Sequence, residues 1–272
     1  MKTMRLLLYP TLMMLTALFT ACAYDDGYEE MMLTNDEARE IVDRCYYQCD
    51  SLDAVDLPFD LVAIGDYAFF GSSVTSVVIP SEVTFIGVSA FNFCPNLTSL
   101  KVDERNPIFD SRNNCNAIIR TGEDLLVYGC RTTVIPQTVR ALANYAFCGC
   151  EGLGQLVLPD NVEVLGDGAF YECSGLTSVV LSAGLKQISN LTFSECHDLM
   201  TVTIPQSVES IGDGAFLHCE NLSKVYVNSD VPPLCGYVAF FNTNATLYVP
   251  HGTLDDYASA PGWRDFSNIM EM

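Results

Sequence analysis

Short segments in which apolar and polar residues alternate recur along the chain at a nearly constant interval. Three of them are LTSVVL (176–181), LMTVTI (199–204) and LSKVYV (222–227). Alternation combined with β-branched residues is typical of short strands that bury one face. A proline often follows such a segment, and it ends the strand because it cannot donate the next ladder hydrogen bond. The pattern predicts one such strand in each repeat.

A phenylalanine marks a second position of the same repeat. It follows Ala or Thr at positions 69, 91, 147, 170, 193 and 216. The spacing between neighbouring copies is almost uniform, except that an enlarged unit (103–136) lies between Phe91 and Phe147. Strands and corners that recur at this interval stack into coils, each covering the apolar face of the next. The sequence therefore predicts a β-rich solenoid over residues 57–250.

One repeat reads L-x-x-V-x-[VIL]-P-x-x-V-x-x-[IL]-G-x-x-A-F-x-x-C-x-[NDG]. This motif resembles the BspA-like leucine-rich repeats of surface proteins from Bacteroides and its relatives, over about residues 57 to 272. The resemblance implies a right-handed parallel coil of about 23-residue leucine-rich repeats. It also implies an adhesion or interaction module that binds host or bacterial protein.

Two further segments resemble parts of that family. The enlarged unit contains DSRNNCNAIIRTGEDLLVYGC (110–130), in which CNAIIR and DLLVYG flank a Gly-containing turn. It predicts a projecting β-hairpin. The segment 251–272 resembles the family's C-terminal cap, in which we expect four apolar residues to cover the last coil: Tyr257, Trp263, Phe266 and Ile269.

The first residues carry a secretory pattern. A basic start, the apolar run LLLYPTLMMLTALF (6–19) and the small residues TAC predict a signal peptide over residues 1–21. LFTAC resembles a bacterial lipoprotein cleavage box with Cys22 as the acylated residue, and the alternative is simple secretion with Cys22 incidental. The acidic segment after it resembles the leader that directs lipoproteins to the outer face of the cell. We expect an outer membrane lipoprotein facing the cell exterior, tethered by residues 22–32.

The segment 33–56 is predicted to form an N-terminal capping helix. Thr34 and Glu37 match a capping box, and apolar residues follow at helical spacing. The helix is expected to run from residue 34 to about residue 50.

The charge balance restricts the partners. With 13 basic and 34 acidic residues the formal net charge is −21. The charge balance argues against nucleic acid and anionic membrane as partners, because phosphate binding needs clustered Lys and Arg. Membrane contact is therefore expected only through the N-terminal lipid.

The cysteines have two interpretations. One Cys per coil lies three residues after the repeat Phe, at positions 94, 150, 173, 196 and 219. Free Cys suits a buried apolar column. The alternative is metal binding by Cys196 and Cys219 with the nearby His197 and His218, but chain neighbours in extended structure point to opposite sides. We expect no metal and no cofactor.

Cys115 and Cys130 would face each other across the hairpin if its centre lies at Gly122 and Glu123. A disulfide between them and two free thiols are both compatible with the sequence.

No catalytic constellation is present in the sequence, and we expect no enzyme. None of the three His lies in a nucleophile motif. Asp66, Asp167 and Asp213 recur in one column, where carboxylates more often accept hydrogen bonds from corner amides than act as acid–base pairs.

The outward strand positions form the candidate binding surface. These positions are small, hydroxylated or β-branched and carry few charges, which suits contact with protein and also suits ordinary strand formation. The candidate partner-binding residues are Lys101, Gln155, Thr201, Thr203, Lys224 and Tyr226. We expect a protein ligand and a monomeric chain. The alternative is a glycan-binding surface lipoprotein, which the single aromatic residue among these positions disfavours.

Overall fold

Each coil of the chain contributes short parallel strands separated by tight corners. The computed structural model describes residues 39–272. In chain order the first ten strands are β1 (Glu40–Ile41), β2 (Ala54–Val55), β3 (Ala63–Ile64), β4 (Ser76–Ile79), β5 (Phe85–Ile86), β6 (Ser99–Val102), β7 (Phe109–Asp110), β8 (Ala117–Arg120), β9 (Leu125–Gly129) and β10 (Ala141–Leu142). The others are β11 (Gly154–Val157), β12 (Val164–Leu165), β13 (Leu176–Val180), β14 (Gln187–Ile188), β15 (Thr201–Ile204), β16 (Ser210–Ile211), β17 (Lys224–Val227), β18 (Leu234–Cys235), β19 (Thr246–Val249) and β20 (Asn268–Glu271). A short helix, α1 (Leu254–Ser259), follows β19.

Equivalent strands of successive coils pair in parallel and build sheets along the solenoid. Before the enlarged unit the orders are β1-β3-β5 and β2-β4-β6. After it they are β11-β13-β15-β17-β19-β20 and β14-β16-β18. The enlarged unit and the two coils after it form the mixed sheet β12-β10-β9-β8-β7. The β-solenoid expected from the sequence is confirmed.

A column of stacked rings, interrupted by the hairpin of β8 and β9, forms the centre of the core. Neighbouring rings of the column are 5.0 to 5.3 Å apart on either side of the hairpin, with interplanar angles of 3 to 17°. The column contains Tyr46, Phe69, Phe91, Phe147, Phe170, Phe193, Phe216 and Phe240. Trp263, which is fully buried, covers Phe240 at 5.4 Å. The repeat phenylalanine therefore defines the solenoid axis, as its spacing predicts.

The hairpin of β8 and β9 lies inside the solenoid, and the prediction that it projects is wrong. Its side chains divide between the two hydrophobic clusters of the chain. Ile118 and Tyr128 pack against the cluster that precedes the hairpin, whereas Ile119 and Leu126 pack against the cluster that follows it. Sheets buried on both faces require apolar residues on both faces, which consecutive isoleucines supply. The hairpin is thus a partition between two halves of one core.

The partition interrupts the ring column but keeps it packed. On one side the ring of Tyr128 contacts Phe91 edge-on at 5.5 Å. On the other side Gly129 lies directly against the ring of Phe147, so close that a Cβ at Gly129 would be 2.1 Å from a ring carbon. Only glycine leaves room for the phenylalanine at this position.

Residues 39–56 form a coil, and the predicted N-terminal capping helix is absent from them. β1 pairs in parallel with β3, and the ring of Tyr46 stacks on Phe69 at 5.0 Å. The segment is a divergent repeat in which Tyr46 replaces the phenylalanine, and its apolar residues face the core of a coil and not one side of a helix. Thr34 and Glu37 lie outside the described residues, as do the predicted signal peptide (1–21) and tether (22–32).

The C-terminal segment covers the last coil. Tyr257 and Trp263 are fully buried, and Phe266 and Ile269 pack partly buried against the same cluster. β20 pairs in parallel with β19 and adds one more strand to the six-stranded sheet. The packing predicted for these four residues is found.

The corner carboxylates hold neighbouring coils together. The Oδ1 of Asp66, Asp167 and Asp213 each accepts a hydrogen bond from a backbone N–H in the next coil, at 2.7, 3.1 and 2.7 Å. This confirms the structural role expected for the column. Within residues 39–272 we find no helix with the length and apolar character needed to cross a bilayer.

Candidate functional site

The outward face of the six-stranded sheet carries two rows of side chains in register. One row consists of Gln155, Ser178, Thr201, Lys224, Thr246 and Asn268. The second row consists of Val157, Val180, Thr203, Tyr226, Tyr248 and Met270. We call these the polar row and the apolar row, and together they form the strand face. Five of the six predicted contact residues lie on it.

The strand face has this form because of strand alternation. Residues between the rows, such as Val202 and Val225, point inward and are fully buried. Their neighbours must point outward because successive side chains of a strand lie on opposite faces. Val157 and Val180 of the apolar row expose 66% and 51% of their surface. An exposed apolar line beside a polar line is an arrangement that can bury apolar area and form hydrogen bonds with one ligand.

Two tyrosines stand side by side in the apolar row. Tyr226 and Tyr248 occupy adjacent strands, and their rings stack at 4.8 Å with an interplanar angle of 20°. Tyr226 is among the contact residues predicted from the sequence and Tyr248 is not, although YVP (248–250) repeats the YVN (226–228) of the preceding coil. Tyrosine pairs of this kind are frequent contact residues in protein interfaces.

The charge of the strand face differs from that of the chain. Neither row contains an Asp or Glu, whereas the whole chain has 34 acidic residues. Lys224 is the only charged residue in the two rows, and no ion pair within residues 39–272 includes it. By contrast, Lys186 on another side of the coil forms an ion pair with Glu209 at 3.5 Å. The strand face therefore lacks the repulsion that the acidic surface exerts on acidic partners.

Lys101 lies apart from the other predicted contact residues. It belongs to β6, which pairs with β4 in the separate three-stranded sheet before the hairpin. The enlarged unit interrupts the face between β6 and β11. Of the six predicted contact residues, one therefore lies on the part of the solenoid before the hairpin and five lie on the part after it.

The column cysteines are buried structural thiols. The Sγ of Cys173, Cys196 and Cys219 each donates a hydrogen bond to the backbone carbonyl of a phenylalanine in the preceding coil, at 3.0 to 3.1 Å. Burial raises the pKa of the Cys94 thiol to about 11 and that of Cys196 to about 12. A thiol with such a pKa is neutral at physiological pH and is a poor nucleophile and metal ligand.

The candidate disulfide between Cys115 and Cys130 is not formed, and of the two alternatives the structure has the free thiols. A bulge at the hairpin leaves Val127 unpaired, so Ala117 faces Gly129 and the register expected for the two cysteines is shifted by one residue. Cys115 consequently packs in the cluster after the hairpin and Cys130 in the cluster before it. The two sulfurs are on opposite faces of the partition.

The histidines of adjacent coils share one carboxylate. His218 Nδ1 lies 2.7 Å from Glu195 Oε1, and His197 Nε2 lies 3.5 Å from Glu195 Oε2. The Glu195 carboxylate thus links the corner that contains His197 to the corner of the next coil, which contains His218. Over the part of the chain that the structure describes, no group of three or more His, Cys, Asp or Glu side chains is arranged to hold a metal ion.

Comparison with known proteins places these features in a family. The family model for the BspA type leucine rich repeat region matches residues 22–117 and 128–246 in six copies. The two ranges together include most of the chain. A comparison with curated proteins finds no match.

Solved structures have the same architecture. A leucine rich cell surface protein from Faecalibacterium prausnitzii is 25% identical, with a TM-score of 0.62 over 85% of this chain. The chain spans 57% of that protein's length. A leucine-rich repeat protein from Eubacterium ventriosum is 22% identical with a TM-score of 0.55, covering 74% of this chain and 67% of that one. The pneumococcal vaccine antigen PcpA is 17% identical with a TM-score of 0.53, covering 86% and 77%. The last two similarities concern the fold alone.

Three observations indicate the same family: the repeat motif of the coils, their stacked phenylalanines and the match of the family model over most of the sequence. The chain belongs to the BspA-type leucine-rich repeat family.

Proposed function

We propose that the chain is a non-enzymatic binding protein that recognises another protein through the strand face. The observation that carries this proposal is the pair of rows, which run in register over six strands without an acidic residue. A line of exposed apolar groups supplies the area to be buried, and the adjacent polar row supplies hydrogen-bonding groups.

Tyr226 and Tyr248 are the proposed centre of the contact. Aromatic residues carry a large share of binding energy where they are buried centrally in an interface. Lys224 lies on the same strand as Tyr226, two residues before it, and its ammonium is available to a partner carboxylate or carbonyl. Gln155, Thr201 and Thr203 extend the contact toward β11.

A glycan is the less favoured ligand for this face. Sugar stacking needs an aromatic ring with an open face. The rings of Tyr226 and Tyr248 stack on each other at 4.8 Å, so each covers one face of the other. The row continues beyond the two tyrosines with Thr203 and Met270, neither of which adds an aromatic ring.

We propose that the protein acts at the cell surface, where the Faecalibacterium relative is described as residing. The lipoprotein pattern that ends at Cys22 would place the solenoid outside the cell, attached through its N-terminal lipid. A monomeric chain would leave the strand face open to its ligand.

A double variant tests the role of the face. The chain carrying Lys224→Ala and Tyr226→Ala is compared with the unchanged chain in a pull-down of surface-exposed host and bacterial proteins. A matched control carries Lys186→Ala and Tyr171→Ala, which remove the same residue types from other sides of the coil. We expect the captured partner to be lost with the first variant and retained with the control.

Two outcomes would count against the proposal. Retention of the partner by the Lys224→Ala, Tyr226→Ala variant would remove the strand face from the contact. Binding to immobilised glycans with no bound protein would assign the chain to the glycan-binding class.

A further inference from the structure

The corners of the solenoid are joined by a repeated set of backbone hydrogen bonds. In each of the later coils three N–H groups at alternate residues donate to carbonyls of the next coil. Leu191, Phe193 and Glu195 donate to Asp213, Ala215 and Leu217 at 2.9, 2.8 and 2.8 Å. One coil further, Gly214, Phe216 and His218 donate to Tyr237, Ala239 and Phe241 at 2.9, 2.7 and 3.0 Å.

The last corner has the same three donors without acceptors. The equivalent residues are Val238, Phe240 and Asn242, whose N–H groups find no acceptor within residues 39–272. Val238 and Asn242 have the positive φ of their counterparts, 51° and 60° beside 59° and 58° at Gly214 and His218. The local conformation is therefore retained, and the donors point to where another coil would lie.

The C-terminal segment covers the rest of the last coil but leaves this corner open. β20 extends the six-stranded sheet beyond β19, and Trp263 Nε1 donates to the carbonyl of Pro233 at 2.7 Å. Between the corner and residues 261–268 there is a groove of about 730 Å³. Its lining includes all three donor residues.

The side chains around the groove favour a polypeptide over an anion. Tyr237 and Phe241 line it and expose 80% and 59% of their surface. Asp265 also lines it, and Glu220 accepts a hydrogen bond from Asn242 Nδ2 at 3.3 Å. The negative charges of these two carboxylates repel a phosphate or carboxylate ligand in the groove, whereas they repel the neutral carbonyl oxygens of a polypeptide only weakly.

We propose that this groove binds an extended segment of a partner polypeptide, which continues the solenoid as an additional corner. Alternate backbone carbonyls of the segment would accept from Val238, Phe240 and Asn242. Its side chains would pack against Tyr237 and Phe241. The mode resembles strand addition to a sheet edge, in which main-chain bonds supply affinity and flanking side chains supply specificity. The groove is distinct from the proposed centre of the strand face at Tyr226 and Tyr248, and it adjoins the end of the polar row, because Thr246 and Asn268 also line it.

The chain itself supplies a probe of matched geometry. Residues 212–218, GDGAFLH, are the corner whose carbonyls accept the equivalent bonds one coil earlier. The peptide with blocked termini is titrated into the ¹⁵N-labelled full chain. We expect saturable amide shifts at Val238, Phe240 and Asn242, with strand-face residues far from the groove, such as Gln155 and Ser178, unchanged.

A second peptide tests the carbonyl contact. An alkene isostere in place of the peptide bond between Ala215 and Phe216 removes the central acceptor. A hydrogen bond of this type contributes about 0.5–1.5 kcal/mol, so affinity should fall roughly 2- to 13-fold. Equal binding of both peptides would overturn the proposal.

Side-chain variants complete the test. Tyr237→Ala should weaken binding of the GDGAFLH peptide, whereas Phe59→Ala, at a residue that is also 80% exposed, should leave it unchanged. The proposal fails if no saturable shift appears at millimolar peptide. It also fails if inorganic phosphate shifts the same amides, or if they shift with protein concentration alone as a dimer forms, which would assign the groove to an anion or to a second copy.

Discussion

Gly129→Ala tests the packing of the hairpin partition with a single added methyl group. The new Cβ would lie 2.1, 2.4 and 2.7 Å from three carbons of the Phe147 ring. Ordinary contact needs about 3.4 Å or more, so the ring or the hairpin must move substantially. Phe147 is 2% exposed, and Phe170 stacks behind it at 5.1 Å, so the ring has no free space into which it can move.

Overpacking of a buried site costs about 1–3 kcal/mol, and we expect the upper end of this range because both neighbours are fixed. At about 2–4 °C per kcal/mol for a chain of this size, the melting temperature should fall by roughly 6–12 °C. The assay is thermal unfolding followed by circular dichroism.

Gly122→Ala is the matched control within the same hairpin. A Cβ at Gly122 would have no atom within 4 Å, so its unfolding free energy should stay within about 0.5 kcal/mol of the original. The reasoning is refuted if Gly129→Ala is as stable as the unchanged chain, or if both variants lose the same stability.

Three other predictions follow from the core and the C-terminal segment. Phe193→Ala removes a fully buried ring of the column and should lower the free energy of unfolding by about 3–5 kcal/mol in urea titrations; a loss below about 1 kcal/mol would contradict the stacked core. Cys173, Cys196 and Cys219 should resist a charged maleimide at pH 8 in the native chain and react fully in denaturant, and rapid native labelling would show that the column is open. Hydrogen bonds from the N–H of Gly252 and from the side chain of His251 lower the pKa of Glu271. The stability that this carboxylate contributes is therefore fully present at a pH above its ordinary pKa of about 4.5, and it is lost as the pH falls through the lower pKa of the folded state. Glu271→Gln should remove this part of the pH dependence in urea midpoints measured from pH 3 to 6, and an unchanged profile would exclude the contact.

The periodic part of the fold could be predicted from the sequence because each repeat position has a local reason. Phe170, Phe193 and Phe216 recur at a constant interval, and a constant interval implies equivalent positions in stacked coils. The first coil was missed because Tyr46 replaces the phenylalanine and Val42 replaces the repeat glycine. The interval from Tyr46 to Phe69 is nevertheless the same as that from Phe170 to Phe193, and it was the available signal.

The position of the hairpin could not be predicted from local pattern alone. Its two strands and turn were recognised, but whether a hairpin projects or inserts depends on contacts with distant coils. Ile118 and Ile119 are adjacent and apolar, which indicates that the hairpin is buried on both faces. The reason for a glycine at position 129 is visible only in the structure, where the ring of Phe147 packs against it.

The position of the candidate site could be predicted from the sequence, but some of its residues could not. Strand alternation located the outward residues from Gln155 to Tyr226. Tyr248 was missed because the C-terminal coils carry weaker repeats, and the open corner at Val238 was missed because an absent hydrogen-bond partner leaves no trace in the sequence.

Site-directed photo-crosslinking tests the central claim, that the strand face binds the partner, most directly. A photoreactive residue is placed at Thr203, in the apolar row, or at Ser210, a partly buried hydroxyl residue of β16 on another side of the same coil. With the captured partner present, the account predicts covalent adducts from position 203 and none from position 210. Adducts from position 210 alone would contradict it.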